Sequence, residues 1–403
     1  MSEITDYGVV VLAVAGVLGL AVFSNKLSER FPIPAPAIFL LAAAGAAHFF
    51  PRLGRQLSIL GVERLAVVAL VLILFDGGMR VGWRRFRRSA VPITLLGVFG
   101  TFATAGLIAL AGRYLFQFSW TGAGLLGAAL APTDPAVMFS VLGNREVGGR
   151  TGTILEGESG VNDPVGIALM LGMLELATHA DATFWIVVRE FVVEMTVGLA
   201  VGVAGAWVVL QTLRRIHLAN PALYPLRSLA AAGVIYGVAA AAHGSGFLAV
   251  FVAGILIGDA PYPRRDDVER FHTSLASLAE VVVFIALGLS VNKVNLAPVW
   301  TDGILIALIL AFLARPLATW PLLAPLRLRR NEQLFVMWSG LKGAVPILLA
   351  AFVLLEDVGG AERIYAIVFV VVAFSVAVQG GSVPFVARRL GIPMRVAYRE
   401  DDT

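Results

Sequence analysis

The chain has 403 residues, of which 58% are hydrophobic and only 14% are charged, and its mean hydropathy is +0.85. Soluble domains are far more polar, so this composition excludes a soluble globular protein and indicates that most of the chain faces lipid or other helices. The absence of cysteine excludes a disulfide framework and a thiolate nucleophile or metal site. The net charge of +4 comes from arginines between apolar runs, which is typical of loops at a lipid surface and does not favour nucleic-acid binding.

Thirteen apolar runs follow one another along the chain when it is read with a window of about 19 residues. The first, at about 7–23, follows an acidic N-terminus and lacks a small-residue cleavage site, so we expect a retained helix and not a secretory signal. The runs are apolar on every face, which predicts an all-α polytopic membrane protein. The other twelve runs lie at about 34–50, 60–76, 90–112, 120–142, 151–177, 183–210, 225–242, 245–258, 275–291, 300–323, 333–355 and 363–387.

Lys and Arg residues are about three times as numerous in one alternating set of loops as in the other. Because insertion keeps positively charged loops in the cytoplasm, this asymmetry predicts an outside N-terminus and a cytoplasmic C-terminus in the cell (inner) membrane. An odd number of spans agrees with ends on opposite sides. We expect one transmembrane domain that extends over residues 1–403.

The runs divide into six, one and six, which predicts inverted repeats at about 7–177 and 225–388 with a linker helix at about 183–210. Span five is interrupted by Ala131-Pro132-Thr133-Asp134-Pro135, and its counterpart, span twelve, by Gly340-Leu341-Lys342-Gly343-Ala344-Val345-Pro346. A lone break of this kind would only shape packing. Two breaks in matching positions, each with a charge, predict two unwound crossing helices with freed carbonyl groups at an ion site.

Span six carries the richest polar stretch, in which Ser159, Asn162 and Asp163 share one helical face. A carboxylate at membrane depth is costly unless it is paired or binds an ion, which makes Asp163 and Asp134 the strongest candidates. Carboxylate, hydroxyl and carbonyl oxygens are the ligands that a hard monovalent cation prefers. If cation and proton compete for Asp163, alternating access couples their opposite flows, and one exchangeable carboxylate predicts one proton per cation.

Two cations inside apolar runs need partners. We assign Lys342 to Glu158, and leave Arg315 to an acidic group or to the carbonyl groups at the end of a half-helix. For both cations, structural pairing is favoured over direct handling of the ion. Asp76, which ends span three, is either a helix-end charge or an outer ligand. Glu280 in span ten is expected to make a structural bond.

In these residues the chain resembles the bacterial NhaP-type members of the monovalent cation:proton antiporter-1 family, including the branch that exchanges potassium for protons. The resemblance covers nearly the whole chain. It implies the sodium/proton antiporter fold, a homodimer, electroneutral exchange of Na+ or K+ for H+, no cofactor and no enzymatic activity. It rests on Phe75-Asp76-Gly77-Gly78, Thr133-Asp134-Pro135, Glu158-Ser159-Gly160-Val161-Asn162-Asp163-Pro164, Ala314-Arg315-Pro316 and Gly340-Leu341-Lys342-Gly343-Ala344-Val345-Pro346.

The resemblance also implies roles for individual residues. Asp163 is the carboxylate for ion and proton, and its companions in the site are Asp134, Ser159 and the carbonyl group of Thr133. Glu158 is implied to pair with the cation of span twelve, and Asp76 to lie at the cytoplasmic funnel. Many members have arginine where this chain has Lys342, and a lysine lacks the bidentate fork, so we expect a weaker or titratable pair.

Other functions remain open at this stage. An ion-coupled organic solute symporter of the same fold would need a larger polar cavity, and a channel would not need a titrating carboxylate. An intramembrane serine protease is suggested only by His243-Gly244-Ser245-Gly246, which we interpret as a tight turn. The choice between Na+ and K+ depends on cavity size and ligand rigidity. The chain ends soon after span thirteen, so we expect no cytoplasmic regulatory domain.

Overall fold

The computed structural model describes Gly19 and residues 34–50, 58–142, 145–179 and 181–396. Within these ranges the chain is helical apart from one short two-stranded ribbon, and it is a multi-pass membrane protein. The first predicted run lies outside the described residues except for Gly19, which is helical. By length and composition, six helical stretches of the described chain could cross a membrane: Gly149–Thr178, Phe184–Arg215, Leu223–Ala241, Arg265–Lys293, Ala297–Leu326 and Ala361–Arg389.

The other twelve predicted runs all fall on helices of the described chain. The first half contains α1 Ala35–Phe49, α2 Ile59–Thr94, α3 Thr101–Leu115, α4 Trp120–Leu130, α5 Pro135–Leu142, α6 Gly149–Thr178 and α7 Phe184–Arg215. The second half contains α8 Leu223–Ala241, α9 Gly246–Gly258, α10 Arg265–Ser290, α11 Trp300–Ile309, α12 Arg315–Leu323, α13 Arg330–Trp338, α14 Ala344–Leu355, α15 Ala361–Phe374 and α16 Gly381–Arg389. Three π-helical segments, Leu95–Gly100, Leu310–Ala314 and Ser375–Gly380, join α2 to α3, α11 to α12 and α15 to α16.

Strands β1 Arg145–Val147 and β2 Met394–Val396 pair antiparallel and fasten the chain after α16 to the loop before α6. The backbone N–H of Gly148 extends this contact by donating to the carbonyl oxygen of Pro393 at 2.8 Å. The first turn of α6 is therefore held against a segment that lies more than 240 positions later in the sequence.

Serine residues cap several helices in the way that their side chains favour. The hydroxyl oxygen of Ser58 accepts from the N–H of Gly61 at the start of α2, and that of Ser119 accepts from Gly122 at the start of α4. Ser245 caps α9 by accepting from the N–H of Leu248 at 3.2 Å. The prediction of a tight turn at residues 243–246 is confirmed, because the chain turns there between α8 and α9. The Ser245 hydroxyl caps the second of these helices.

The loop predicted between spans three and four is reduced to a sharp kink. Helix α2 consists of two helical parts that meet at Gly82, and the arginines of this region lie on helical backbone, since arginine is a good helix former. Only Gly82 leaves the helical conformation, with φ 63° and ψ 155°. A Cβ atom there would lie 2.7 Å from Oδ1 of Asp259, whose Oδ2 accepts from the N–H of Arg84 at 2.6 Å. One glycine therefore supplies the whole interruption.

Both predicted helix breaks are confirmed. Helix α4 ends at Leu130 and α5 begins at Pro135, while α13 ends at Trp338 and α14 begins at Ala344. The two breaks touch each other, because the N–H of Asp134 donates to the carbonyl oxygen of Leu341 at 2.8 Å. The division into two inverted repeats stays a prediction.

Helix α6 lies at the centre of the bundle and α7 at its periphery: 72% of the most apolar stretch of α6 is buried, against 22% of that of α7. Helices α2 and α9 pack backbone against backbone. A Cβ atom at Gly254 of α9 would collide with the carbonyl oxygen of Phe75, and one at Gly78 would collide with the carbonyl oxygen of Phe251. Small residues permit this close approach, which lets membrane helices gain van der Waals contact without a hydrophobic driving force.

We predict that Gly254→Ala destabilises the protein, because the added methyl group must separate α2 from α9, at a cost of about 1–3 kcal/mol. The matched control is Gly237→Ala on α8, where a Cβ atom would meet nothing within 4 Å. The measurement is thermal unfolding of the detergent-purified variants, followed by tryptophan fluorescence. Equal melting temperatures for the two variants would contradict the packing described here.

Candidate functional site

Lys342 closes the end of the broken helix α4. The prolines of the first break leave the last carbonyl groups of α4 without backbone donors. The Lys342 ammonium donates to two of them, the carbonyl oxygens of Ala131 and Pro132, each at 2.8 Å. The Lys342 side chain is buried, and the backbone N–H of the same residue donates to the hydroxyl oxygen of Ser375 at 2.9 Å. A positive charge thus lies at the negative end of a helix dipole.

Asp134 occupies the corresponding position at the other broken helix. Its carboxylate packs against Gly343, the N-cap residue of α14, so closely that a Cβ atom at Gly343 would collide with Oδ2. A carboxylate is favoured beside a helix N-terminus, where backbone N–H groups carry partial positive charge. Each break therefore supplies the charge that stabilises the end of the opposite broken helix.

The polar face of α6 meets this crossing as the helical spacing predicts. The Ser159 hydroxyl donates to the carbonyl oxygen of Thr133 at 2.6 Å. The amide of Asn162 contacts Thr133 twice: Nδ2 donates to Oγ1 at 2.7 Å, and Oδ1 accepts from the backbone N–H at 3.3 Å. Both ends of the Asn162 amide are thus used to hold Thr133 in place.

Asp163 lies beside this contact with one oxygen unused. The residue is 6% exposed, and its Oδ1 has no hydrogen-bond partner in the part of the chain that the structure describes. Asp134 and Lys342 are the charged groups within electrostatic range. A buried carboxylate oxygen without a partner is unfavourable in a low-dielectric interior, so this atom needs a cation or a proton.

The predicted pair of Lys342 and Glu158 is wrong. Glu158 pairs with Arg315, whose Nη1 lies 2.6 Å from Oε1, and the two side chains are 1% and 3% exposed. Arg315 begins α12, and its guanidinium occupies the space that a side chain at Gly340 would fill. Arg315 thus pairs with an acidic group, as one of its two predicted alternatives. Lys342 binds the half-helix carbonyl groups that were the other alternative for Arg315. Within the described chain, Nε and Nη2 of Arg315 and Oε2 of Glu158 have no hydrogen-bond partner.

Asp76 does not end a helix, because α2 continues beyond it. Its carboxylate is buried, with Oδ2 at 2.7 Å from Nε of Arg80 and Oδ1 accepting from the hydroxyl group of Thr273 at 3.0 Å. Both oxygens are thus engaged by side chains of α2 and α10.

Glu280 on α10 was expected to make a structural bond, and this expectation is wrong. Its Oε1 is buried without a hydrogen-bond partner among the described residues, and it lies within electrostatic range of Asp134 and Arg80. The rule that singled out Asp163, a carboxylate inside an apolar run, also selects Glu280. The position of Glu280 inside an apolar run was therefore a signal in the sequence for a functional carboxylate, and it should have outweighed the expectation of a structural bond.

The charged groups at the crossing are almost balanced. The carboxylates of Asp134, Glu158 and Asp163 face the cations of Arg315 and Lys342, which leaves one negative charge in excess when all five are ionised. No group of three or more His, Asp or Glu side chains suited to a metal ion is found in the described ranges. A cation at this place would therefore need hydroxyl and backbone oxygens in addition to carboxylates.

Comparison with known proteins identifies the family and the fold. The model of the family described as "Sodium/hydrogen exchanger, transmembrane" matches residues 12–389. The chain belongs to this family. The K(+)/H(+) antiporter NhaP of Alkalimonas amylolytica is 34% identical over 401 residues, which cover 97% of this chain and 69% of that protein. The K(+)/H(+) antiporter NhaP2 of Shewanella sp. (strain ANA-3) is 31% identical, over 92% of this chain and 65% of that protein.

The chain thus spans about two thirds of the length of these family members. The sodium proton antiporter MjNhaP1 from Methanocaldococcus jannaschii has a similar structure, with a TM-score of 0.76 over 94% of this chain and 99% of that chain. At 22% sequence identity, this likeness establishes the fold. The predicted family and the predicted sodium/proton antiporter fold are confirmed.

We predict that Glu158 couples energetically to Arg315 and much less to Lys342. Glu158→Gln strands the Arg315 guanidinium, and breaking a buried pair costs about 3–5 kcal/mol. Adding Arg315→Gln should recover part of the lost melting temperature, whereas adding Lys342→Gln should lower it further. Thermal unfolding of the single and double variants in detergent measures this, with Glu175→Gln at an exposed site of α6 as the control. If Lys342→Gln, and not Arg315→Gln, recovered the melting temperature of Glu158→Gln, the pair of Lys342 and Glu158 that the sequence predicts would be supported instead.

Proposed function

We propose that the chain is a secondary active transporter that exchanges a monovalent cation, Na+ or K+, for a proton across the inner membrane. The observation that carries this proposal is the unpartnered Oδ1 of buried Asp163 beside two crossing broken helices. A cation and a proton are the two species that satisfy such an oxygen. The names of the relatives, two K(+)/H(+) antiporters and one sodium proton antiporter, support the same class of transport.

The cation is proposed to bind between α6 and the first break. Asp163 supplies a carboxylate oxygen, and Asp134 supplies a second negative charge nearby. The Ser159 hydroxyl gives its proton to the carbonyl oxygen of Thr133, which directs the lone pairs of Ser159 away from that bond and leaves both oxygens able to bind a cation. The sequence predicts Asn162 as an ion-binding residue together with Asp163, Asp134, Ser159 and Thr133. Because both ends of its amide contact Thr133, Asn162 is proposed to position Thr133.

Competition for Asp163 is the proposed coupling mechanism. A proton on the carboxylate removes the charge that attracts the cation, and a bound cation occupies the oxygen that the proton needs. The single excess negative charge at the crossing is neutralised by one cation or by one proton. The loaded site therefore carries the same charge in both directions of alternating access, and exchange is electroneutral with a ratio of one to one.

The remaining charged residues are proposed to support the site. Lys342 and the Arg315–Glu158 pair hold the broken helices in place while the surrounding bundle rearranges. Asp76, whose charge is paired with Arg80, is proposed to lie at the cytoplasmic funnel, and Glu280 is a further acidic group on α10. The protein is further proposed to act as a homodimer, surrounded by membrane lipids, with an outside N-terminus and a cytoplasmic C-terminus.

An ion-coupled organic solute symporter remains the alternative. Such a transporter needs a cavity of roughly 300 Å³ or more beside its coupling ion. Two cavities of about 770 Å³ and 370 Å³ among the described residues are lined by residues other than Asp163 and Asp134. Asp163 itself is only 6% exposed, which supports a bare ion as the substrate.

We predict that Asp163→Asn abolishes cation-dependent proton movement, because the amide can neither take up a proton nor neutralise a cation. Everted vesicles or proteoliposomes containing a pH-sensitive dye are given Na+ or K+ separately, and dequenching of the dye is recorded. Asp181→Asn is the matched control, since Asp181 is exposed in the loop after α6. A response that persists in Asp163→Asn would place coupling elsewhere, and no response of the native chain to either ion would favour the symporter.

We also predict that turnover moves no net charge. Electrophysiology on a solid-supported membrane measures the charge displaced after a cation concentration jump, in the same proteoliposomes that show dye dequenching. One cation for one proton gives a pH change with no sustained current. A current that grows with the cation gradient and disappears in Asp163→Asn would contradict the one-to-one ratio while leaving antiport intact.

A further inference from the structure

A basic cavity lies at the start of α6, away from the crossing. It has a volume of about 370 Å³ and lies between the part of α2 that follows Gly82, the end of β1 and the first two turns of α6. This is within the size range of sites for small metabolites. The residues that line it are Arg85, Arg88, Ser89, Val147, Gly149, Arg150, Gly152, Thr153 and Glu156.

The cavity collects positive charge. Three guanidinium groups line it, and the single carboxylate of Glu156 offsets only one of them. Arg85 uses its Nε on the carbonyl oxygen of Val81, and Arg150 uses one Nη1 donor on that of Leu326. Each of these side chains keeps further N–H donors, because a guanidinium carries five. All three arginines are exposed, so water reduces their mutual repulsion, and an anion placed between them would be attracted by all three guanidinium groups.

Two further observations point to a ligand. The N-cap of α6, Gly148, provides no side-chain cap, so the first backbone N–H groups of a 30-residue helix remain available to an anion. Ser89 lines the same cavity although it is only 3% exposed. No hydrogen bond of its hydroxyl group is found among the described residues, and the residue opens onto the cavity. A hydroxyl group in this position among arginines can donate to a bound anion.

We propose that this cavity binds a small anion that carries a phosphoryl group, held by Arg85, Arg88, Arg150, Ser89 and the first turn of α6. A phosphoryl group has three strong acceptor oxygens, which match planar guanidinium donors, a hydroxyl group and helix N–H groups together. The group belongs either to a free phosphate compound or to the headgroup of an anionic phospholipid. Both present the same chemistry to the cavity.

Binding at this place would act on the transport helix. The cavity joins α2 to α6, and Asp163 follows the start of α6 by 14 residues, which is about 20 Å along the same helix. An anion that fixes α2 against α6 would resist relative movement of these helices and slow exchange. This consequence rests on the proposed antiport, whereas binding itself does not.

The test compares two neighbouring arginines of α2. Both are exposed and equally charged, but Arg88 lines the cavity and Arg87 is not among the residues that line it. Isothermal titration of the full purified chain in detergent measures binding of inorganic phosphate, pyrophosphate and adenosine triphosphate, with chloride at equal ionic strength as the reference. Arg88→Gln and Ser89→Ala should each raise the dissociation constant, Arg88→Gln by about tenfold or more, while Arg87→Gln leaves it within about twofold.

A second arm identifies the source of the phosphoryl group. The native chain and both arginine variants are placed in nanodiscs of phosphatidylcholine alone or with phosphatidic acid, and retention of the anionic lipid is measured by mass spectrometry. Selective loss of a soluble phosphate in Arg88→Gln supports a free compound as ligand, and selective loss of phosphatidic acid supports a lipid headgroup. Equal effects of Arg87→Gln and Arg88→Gln, or binding of phosphates and lipid no stronger than that of chloride and phosphatidylcholine, would overturn the proposal.

Discussion

The structure depends on how two broken helices end inside the membrane-spanning bundle. A helix end leaves backbone groups without partners, and in a low-dielectric interior these groups need charges or donors from elsewhere. Here each break supplies a charged side chain that stabilises the helix end at the other break. Lys342 donates to the last carbonyl groups of α4, and Asp134 packs on Gly343 at the start of α14. The backbone bond from Asp134 to Leu341 joins the two breaks directly.

This reciprocal arrangement decides which charge is left for function. Lys342 is occupied by carbonyl oxygens, and Arg315 by Glu158, so neither cation is fully committed to Asp163. Asp163 on α6 is then a buried carboxylate that has an oxygen without a partner among the described residues and no cation of its own, unlike Glu158, which is paired with Arg315. A transported cation or a proton can bind this oxygen of Asp163, because the structural charges around it have partners of their own. A site that carries one excess negative charge has a natural stoichiometry of one, whichever of the two ions arrives.

The sequence contained the parts of this site that depend on local chemistry. Clustered prolines and glycines weaken a helix strongly enough that both breaks could be located, whereas the single prolines Pro92 and Pro164 stay inside helices. The period of 3.6 residues placed Ser159, Asn162 and Asp163 on one face. Pairing of buried charges could not be read in this way, because it depends on where helices lie in three dimensions. The connection between spans three and four is shorter than predicted for another reason: arginines suggest a loop by charge, but they also favour a helix, and Gly82 alone makes the turn.

The exchange of partners between Lys342 and Arg315 also explains why each cation suits its position. An ammonium group is a compact point charge with three donors, which fits two carbonyl oxygens converging from consecutive residues at 2.8 Å. A guanidinium is planar and suits a carboxylate, and Gly340 leaves the space that its plane requires beside Glu158. The expectation of a weak, titratable lysine–glutamate pair therefore concerned the wrong contact. Lysine at position 342 need not replace the fork of an arginine, because the group it stabilises is the end of a helix and not a carboxylate.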